Sequence, residues 1–223
     1  MRTVVVTGGK RGIGAAIAAA FEGEHVVALS SSDLDVTDEA AVASVLGELE
    51  VDVLVNNAGV SSSAPLPRTA LADWERQFAV NATGAFLCAR AVLPGMRSRD
   101  RGRIVTVASV ASHVGAPYIA AYTASKHAVL GLTRAVAAEV AGTGVTCNAV
   151  CPAYVRSDMT DATIANIETR TGRDGEAALA SMTPLGRLIE PSEVAFAVRF
   201  FAASEAAAIN GQSLIIDGGG VQQ

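Results

Sequence analysis

A tyrosine and a lysine, Tyr122 and Lys126, stand four residues apart in the stretch Tyr-Thr-Ala-Ser-Lys. On a helix this spacing places both side chains on one face. A phenol has an ordinary pKa of roughly 10, and a nearby ammonium favours the phenolate, so the pair can exchange a proton close to neutral pH. The same spacing is common between ordinary surface residues, so its meaning depends on the residues around it.

Other polar residues stand where elements of an α/β fold are predicted to end. Ser109 follows the apolar run 104–108, which indicates a buried strand of a parallel sheet. The run 3–6 leads into a glycine-rich turn and then a helix, an order in which backbone N–H groups can approach a pyrophosphate. Another apolar strand ends in Asn-Asn-Ala-Gly at 56–59, and Asn81 lies inside a predicted helix.

In combination these motifs resemble the short-chain dehydrogenase/reductase family, whose single-domain members reduce ketones or oxidise secondary alcohols with a nicotinamide cofactor. The resemblance covers essentially all 223 residues. The elements that carry it keep the family's order and spacing. They are Thr7 to Gly14, Asn56 to Gly59, the set Asn81, Ser109, Tyr122 and Lys126, the loop Cys151 to Val155, and the closing segment Gly211 to Gly219.

The resemblance implies a role for four catalytic residues. The substrate oxygen is expected between Ser109 and Tyr122, which both donate hydrogen bonds where negative charge develops. Tyr122 supplies the proton in reduction and removes it in oxidation. Lys126 is expected to lower the pKa of Tyr122 and to bind the nicotinamide ribose. Asn81 is expected to hold a water that connects Lys126 to solvent.

The resemblance also implies which residues bind the cofactor. The Pro152 loop should clasp the nicotinamide carboxamide, with main-chain contacts from Val155 and a hydroxyl from Ser157. Ala153 stands where the family usually has glycine, so this loop must adopt an ordinary backbone conformation. The full expected set is Gly8, Lys10, Arg11, Gly12, Ile13, Gly14, Ser30, Ser31, Asp35, Val36, Asn57, Ala58, Gly59, Tyr122, Lys126, Pro152, Ala153, Val155 and Ser157.

The choice between NAD and NADP depends on the end of the second predicted strand. Members that prefer NAD have an acidic residue where this chain has Ser30, because a carboxylate accepts from both ribose hydroxyls and repels a 2′-phosphate. The serines at 30–32 offer donors, and Lys10 and Arg11 add positive charge. NADP is therefore favoured over NAD. The alternative is that the shortened loop folds Asp33 back onto the ribose, where its carboxylate would favour NAD.

Short apolar runs alternate with helical stretches along the whole chain, which is typical of a Rossmann-type, doubly wound parallel sheet in a single domain, 1–223. The polar segment near 157–186 is predicted to form a mobile lid over the substrate cleft. Strands are predicted near 3–7, 25–30, 51–55, 103–108, 144–150 and 213–216. Helices are predicted near 12–22, 38–49, 69–96, 120–141, 159–182 and 191–203.

The chain departs from the family between the second strand and Asn56, where it has only about 26 residues. The family usually fits a helix, a strand and a further helix there. We predict that the first of these helices is deleted and that the third strand is at most a stub. The sheet should be smaller on that side and the adenine less covered, although Asp35 and Val36 still match positions that the family uses against the adenine.

Composition limits the partners. The chain is 50% hydrophobic and long enough for one well-buried domain, and its net charge of −5 argues against nucleic acid or an anionic membrane as the main partner. No apolar stretch is expected to reach membrane-spanning length, and the first strand begins by Thr3, so a cytoplasmic location is predicted. The cysteines at 88, 147 and 151 have no ligand-like spacing with histidines, so we expect reduced thiols and no metal site.

These observations predict an NAD(P)(H)-dependent oxidoreductase that interconverts a ketone and a secondary alcohol on a small-molecule substrate. The stretches 141–149 and 187–218 resemble 3-hydroxybutyrate dehydrogenases and β-ketoacyl thioester reductases, so a 3-oxo or 3-hydroxy acyl substrate is predicted. A dehydrogenase of another small alcohol stays open. A non-catalytic dinucleotide sensor also stays open, although such proteins typically lose the tyrosine or the lysine. An epimerase or dehydratase of the extended branch would need a longer C-terminal region.

A homo-oligomer, tetramer or dimer, is also predicted. The family commonly associates through the long helices, here near 69–96 and 120–141, and through the C-terminal strand. Burial of these surfaces would explain a mean hydropathy of +0.36.

Overall fold

The computed structural model describes residues 1–221 and contains a six-stranded parallel sheet with helices on both faces. The spatial order of the strands is β2-β1-β3-β4-β5-β6. This confirms the expected Rossmann-type fold class. The strands are β1 (Thr3–Thr7), β2 (His25–Leu29), β3 (Val53–Asn56), β4 (Gly102–Val107), β5 (Val145–Pro152) and β6 (Ser213–Ile216).

The helices divide between the two faces of the sheet, with α1 and α8 together on one and α2, α4 and α5 on the other. Strand periodicity sends Val4 and Val6 into one core and Val5 into the other. Both faces of the central strands are therefore buried, as their continuous apolar sequences require. The helices are α1 (Gly12–Ala20), α2 (Glu39–Gly47), α3 (Leu71–Phe78), α4 (Gly84–Ser98), α5 (Ala120–Glu139), α6 (Asp158–Thr171), α7 (Gly175–Ala180) and α8 (Pro191–Ala202).

The helix predicted near 69–96 is interrupted by a π-helical turn, Ala79–Thr83, between α3 and α4. With that turn, Leu71–Ser98 forms 28 helical residues that are long and apolar enough to cross a membrane by length and composition. The expectation that no stretch reaches that length is therefore wrong. Because α4 packs on α2, β3 and β4, the core position of this helix also accounts for its apolar composition.

The helix predicted near 159–182 is two helices. α6 ends at Gly172, which is left-handed with a φ of 66°, a conformation that glycine adopts without strain. Asp174 then caps α7 by accepting a hydrogen bond from the Ala177 N–H. Arg156 pairs with Glu176 and Glu190, so salt bridges connect the start of this segment with α7 and with the cap of α8.

The region between β2 and β3 is short, and α2 is the regular element that the structure shows there. The predicted loss of the helix after β2 matches this arrangement, and residues 30–52 contain no strand. Leu34 and Val36 are buried in the core instead. Val36 fills the space beside Gly84, where an added Cβ would lie 2.6 Å from the Val36 side chain. Strand β2 is consequently the edge of the sheet.

Candidate active site

The carboxyl ends of β3, β4 and β5 meet beside the start of α1 and line one cleft. This cleft brings Ser109, Tyr122 and Lys126 together with the glycine turn and the Pro152 loop. Lys126 is the one charged side chain of the lining, which consists of Ile13, Asn57, Gly59, Val107, Ala108, Ser109, Tyr122, Lys126, Pro152, Ala153, Val155, Ser157, Met159 and Thr160.

Ser109 and Tyr122 both line this cleft, and the Ser109 hydroxyl lies close enough to the Tyr122 phenol to influence its pKa. Ser109 follows β4, and its hydroxyl also accepts from the Ala111 N–H at 3.1 Å, which fixes its position at the first turn after the strand. Burial raises the pKa of Tyr122, and the Ser109 hydroxyl opposes that rise. The phenol is therefore a protonated donor aligned beside a second hydroxyl.

Lys126 is held beside the Tyr122 ring by the backbone of β4. Its ammonium donates to the Val107 carbonyl at 2.9 Å and lies 5.7 Å from the centre of the Tyr122 ring. The side chain is buried, and burial lowers the pKa of Lys126 to about 8. Burial is the largest influence on the pKa of Tyr122 and raises it, and the lowering expected from Lys126 stays a prediction.

Asn81 occupies the π-helical turn and connects the loop after β3 with α5. Its amide nitrogen donates to the Val60 carbonyl and to the Ser125 hydroxyl, both at 2.9 Å, and its oxygen accepts from the Val60 N–H. Ser125 in turn donates to the Tyr122 carbonyl. The side chain of Asn81 thus positions the start of α5. The water predicted at Asn81 stays a prediction.

The glycine turn before α1 suits the pyrophosphate of a dinucleotide. Gly8 and Gly12 have positive φ angles, and a Cβ on Gly14 would lie only 2.0 Å from the Gly8 carbonyl oxygen. α1 starts after Arg11 without a side-chain cap and without an acidic residue in its first turn. Its N-terminal amides and the helix dipole therefore favour an anion at this point.

Thr7 holds this turn against the loop after β3, a role that the sequence reasoning missed. Its hydroxyl oxygen accepts from the N–H groups of Asn57 and Ala58, both at 3.1 Å. The Asn57 amide donates to the carbonyls of Thr7 and Gly8. Asn57 therefore supports the turn through its side chain. The signal available in the sequence was the threonine that opens the glycine motif.

The Pro152 loop faces the glycine turn across the cleft. Ala153 keeps an ordinary backbone conformation, as its substitution for glycine predicted, and its N–H donates to the Ile216 carbonyl. Ser157 caps α6, and its Cβ lies 3.6 Å from the position of a Cβ added to Gly12. Thr160, which the sequence did not single out, donates to the Val155 carbonyl and also lines the cleft.

The two cations of the glycine turn already have carboxylate partners, one at the end of β2 and one at the start of α6. Lys10 pairs with Asp33, and the exposed side chain of Arg11 pairs with Asp158. Asp33 also accepts from the Ser30 N–H and hydroxyl. Ser31 is exposed, and Asp35 accepts from the N–H and hydroxyl of Thr37. The short loop therefore does fold Asp33 back to the strand end.

Known proteins are similar to this chain in both sequence and structure. The family model described as Enoyl-(Acyl carrier protein) reductase matches residues 15–220. The 3-oxoacyl-[acyl-carrier-protein] reductase FabG of Vibrio cholerae is 37% identical over 98% of this chain and 96% of that protein. The 2-(R)-hydroxypropyl-CoM dehydrogenase of Xanthobacter autotrophicus is 38% identical over 97% of each chain. The solved structure of ElxO with NADP bound has a TM-score of 0.90 at 30% identity, over 100% of this chain and 99% of that one.

The alignment with the Vibrio cholerae reductase runs over 243 positions, more than the 223 residues of this chain, so that relative has residues without a counterpart here. The agreement otherwise extends over almost the full length of both chains. The chain belongs to the short-chain dehydrogenase/reductase family. It is an NAD(P)-dependent oxidoreductase that acts on a small-molecule substrate.

Proposed function

We propose that this enzyme interconverts a ketone and a secondary alcohol, with Tyr122 as the general acid and base. The observation that carries this proposal is that the side chains of Ser109 and Tyr122 line one cleft, in which Lys126 is the one charged residue of the lining. Two hydroxyl groups side by side can both donate to one carbonyl oxygen, and they stabilise the negative charge that develops there.

The residues of the cleft have separate roles in cofactor binding, substrate orientation and proton transfer. The glycine turn would hold the pyrophosphate of the cofactor, and the loop from Pro152 to Ser157 would hold its nicotinamide, which supplies or accepts the hydride when bound. Ser109 orients the substrate oxygen. Tyr122 gives its phenolic proton to that oxygen in reduction and takes it back in oxidation.

Lys126 is suited to restoring the proton of Tyr122. A lysine whose pKa is lowered to about 8 exchanges protons near neutral pH, which an ordinary lysine does slowly. Its hydrogen bond to the Val107 carbonyl holds the amine close to the phenol. Asn81 positions α5 and, with it, both residues. We therefore place Asn81, Ser109, Tyr122 and Lys126 in the catalytic machinery.

We propose a 3-oxo or 3-hydroxy acyl thioester as the substrate. The cleft lining is neutral apart from Lys126. This neutral lining favours an uncharged acyl group, rather than a sugar acid, next to the reacting carbon. Exposed apolar side chains follow on the neighbouring loop and on the segment near 157–186, namely Val114, Tyr118, Met159 and Met182. We assign that segment, within one domain, the role of a lid over the acyl chain.

The experiment that tests this proposal is a parallel assay of 3-oxoacyl thioesters and small neutral ketones with NADPH and NADH. The expected result is a kcat/KM at least tenfold higher for the thioesters, with Tyr122→Phe inactive on every substrate. A small secondary alcohol is the second candidate, because the Xanthobacter relative is named as a hydroxypropyl-CoM dehydrogenase. Higher activity on such alcohols would reject the acyl substrate and keep the reaction class.

The preferred cofactor is proposed to be NADP. The support is that Arg11 in the glycine turn has only an exposed ion pair with Asp158, and that Ser30, not an acid, directly follows β2. We also propose a cytoplasmic homo-oligomer, dimer or tetramer. Large exposed apolar side chains on α8 and β6, Phe196, Phe200 and Leu214, support association through that edge of the sheet.

A further inference from the structure

Residues 60–64, which we call the wall segment, follow the cleft residue Gly59 and form neither helix nor strand. Every second residue of this segment is nevertheless bonded through its backbone N–H. The N–H groups of residues 60, 62 and 64 donate, in that order, to the Asn81 side chain, the Gln77 side chain and the Tyr118 carbonyl. Bonds at a spacing of two residues indicate an extended chain with one edge turned toward these acceptors.

Gln77 makes the middle one of these three contacts. Its side-chain oxygen accepts from the Ser62 N–H at 3.3 Å, and its nitrogen donates to the Ser62 hydroxyl at 2.9 Å and to the Asp73 carbonyl at 3.4 Å. The side chain is fully buried, and no larger polar side chain in residues 1–221 is buried to the same degree. A buried amide costs free energy unless it is paired, so its burial requires Ser62 to stay in place.

Gln77 and Asn81 stand four residues apart, so their amides can bond to the same stretch of chain. Their bonds differ in one respect. Asn81 also donates to Ser125 and is thereby connected to α5, which carries the catalytic tyrosine and lysine. Gln77 bonds to the wall segment and to its own helix. Loss of the Gln77 amide should therefore disturb the wall segment and leave the catalytic helix in position.

The wall segment begins beside the catalytic lysine and ends at a loop that borders the cleft. At its start, a Cβ added to Gly59 would lie 3.8 Å from the Lys126 ammonium. At its end, its partner Tyr118 belongs to the loop between Ser109 and Tyr122. The residues of the segment are half-buried or exposed, so a ligand can reach them. A substrate whose oxygen lies at Ser109 and Tyr122 would extend along this segment.

We propose that Gln77 is a positioning residue for the substrate: its amide holds the wall segment, against which the part of the substrate beyond the reacting carbon lies. This inference rests on the proposed function, because it assumes a ketone or alcohol bound at Ser109 and Tyr122. Without the amide, the Ser62 N–H and hydroxyl lose their partner, and the middle of the segment opens more often. Substrate binding weakens, whereas the cofactor and the proton donor keep their places.

The test is steady-state kinetics of Gln77→Met, with the preferred cofactor at saturation and the ketone that the wild type reduces best. Methionine has a similar length and shape but cannot replace the bonds of the amide. The expected result is a KM for the ketone at least fivefold higher and a kcat within twofold of the wild type. Hydrogen exchange measured by peptide should show the amides of the wall segment exchanging at least tenfold faster.

Asn148→Leu is the matched control. Asn148 is also a fully buried amide that bonds to a backbone N–H and a backbone carbonyl, those of Gln212 and Ile209. Its loss should lower stability but leave both the KM for the ketone and the exchange of the wall segment unchanged. An unchanged KM in Gln77→Met, or a rise of equal size in Asn148→Leu, would overturn the positioning role. So would a fall in kcat at constant KM, because it would connect Gln77 with the catalytic helix.

A double-mutant cycle with Ser62→Ala tests whether Gln77 acts through Ser62. In the alanine background, Gln77→Met should raise KM by a factor at least twofold smaller, because the hydroxyl partner is already absent. An equal effect in both backgrounds would overturn the pairing. If Gln77→Met does not fold, Ser62→Ala alone decides, with a raised KM expected and an unchanged KM against the proposal. A wild-type protein that reduces no ketone with either cofactor would instead reject the proposed function.

Discussion

Two parts of the cleft differ in burial: the catalytic side, at the ends of β3, β4 and β5, and the adenosine edge, at the end of β2, where the adenosine of the cofactor is expected to bind. At the ends of β3, β4 and β5, hydrogen bonds connect Asn81 to the Tyr122 carbonyl through Ser125, and the buried Lys126 donates to the Val107 carbonyl. At the end of β2 a short exposed loop replaces a helix, and its polar residues bind one another through Lys10, Ser30 and Asp33.

The difference indicates which parts of a cofactor site can be shortened without losing proton transfer. Proton transfer needs groups whose positions and pKa values are set by burial, and these need the whole core around them. The adenosine end contributes only affinity for the cofactor and selection between NAD and NADP, and a few exposed charges can provide both. Substitutions on the catalytic side should therefore change turnover, and those at the edge should change cofactor selection.

The largest effect is expected from Tyr122→Phe. The ring and its packing stay, and only the proton donor is lost, so kcat should fall by roughly 10²- to 10⁴-fold. Titration with NADPH should show an unchanged Kd. A variant that keeps more than about a tenth of the wild-type kcat, a barrier change below about 1.4 kcal/mol, would contradict the assignment of Tyr122.

Lys126→Met should abolish turnover and yet stabilise the fold at neutral pH. Because burial lowers the pKa of Lys126 to about 8 from 10.5, the folded chain binds fewer protons than the unfolded chain between these values. Stability therefore rises with pH across that range, and the desolvation penalty is present in full below about pH 8. This desolvation penalty amounts to about 3 kcal/mol, and the variant no longer has it. Losing the hydrogen bond to Val107 costs the variant about 1 kcal/mol, so a net gain of about 2 kcal/mol is expected.

The measurement is denaturant unfolding of both proteins at pH 7 and pH 10. The variant should be more stable at pH 7 by about 2 kcal/mol, and the advantage should shrink at pH 10. Lys10→Met is the control, since that side chain is 54% exposed and should shift stability by less than about 1 kcal/mol at either pH. A difference for Lys126→Met that does not depend on pH would contradict the burial argument.

At the adenosine edge, Arg11→Ala should raise the Kd for NADPH at least tenfold and leave that for NADH nearly unchanged. Arg11 is the cation with the more exposed ion pair, so the variant removes a phosphate ligand without disturbing the core. Titration calorimetry with both cofactors measures this. Equal losses for both would show that Arg11 only supports the turn, and the proposed NADP preference would lose its main support.

The smallest effect on the chemistry is expected from Phe196→Glu on α8. The Phe196 side chain is 76% exposed in the isolated chain, so a charge there should leave the fold intact and weaken association at the β6 edge. Sedimentation velocity at micromolar concentration should show a larger assembly for the wild type and a smaller one for the variant. A wild-type chain that sediments only as a monomer would rule out the predicted oligomer.

The fold class and the cleft could be predicted from the sequence because their determinants are local. The apolar run before Ser109 predicts a buried strand, and four-residue spacing brings Tyr122 and Lys126 onto one helix face. The glycines at 8, 12 and 14 require the turn that the structure shows. The break of the lid at Gly172 was missed, because an isolated glycine in a polar helix does not by itself mark an end.

The sequence by itself determined the chemical groups, their order along the chain and the loss of a helix after β2. Only the tertiary structure decided their charge states and partners. Lys126 is held by a carbonyl 19 residues away, and its pKa follows from burial. Lys10 is paired with an aspartate 23 residues away, across two neighbouring strands. Desolvation and ion pairing depend on distances through space, which the spacing of residues along a chain does not contain.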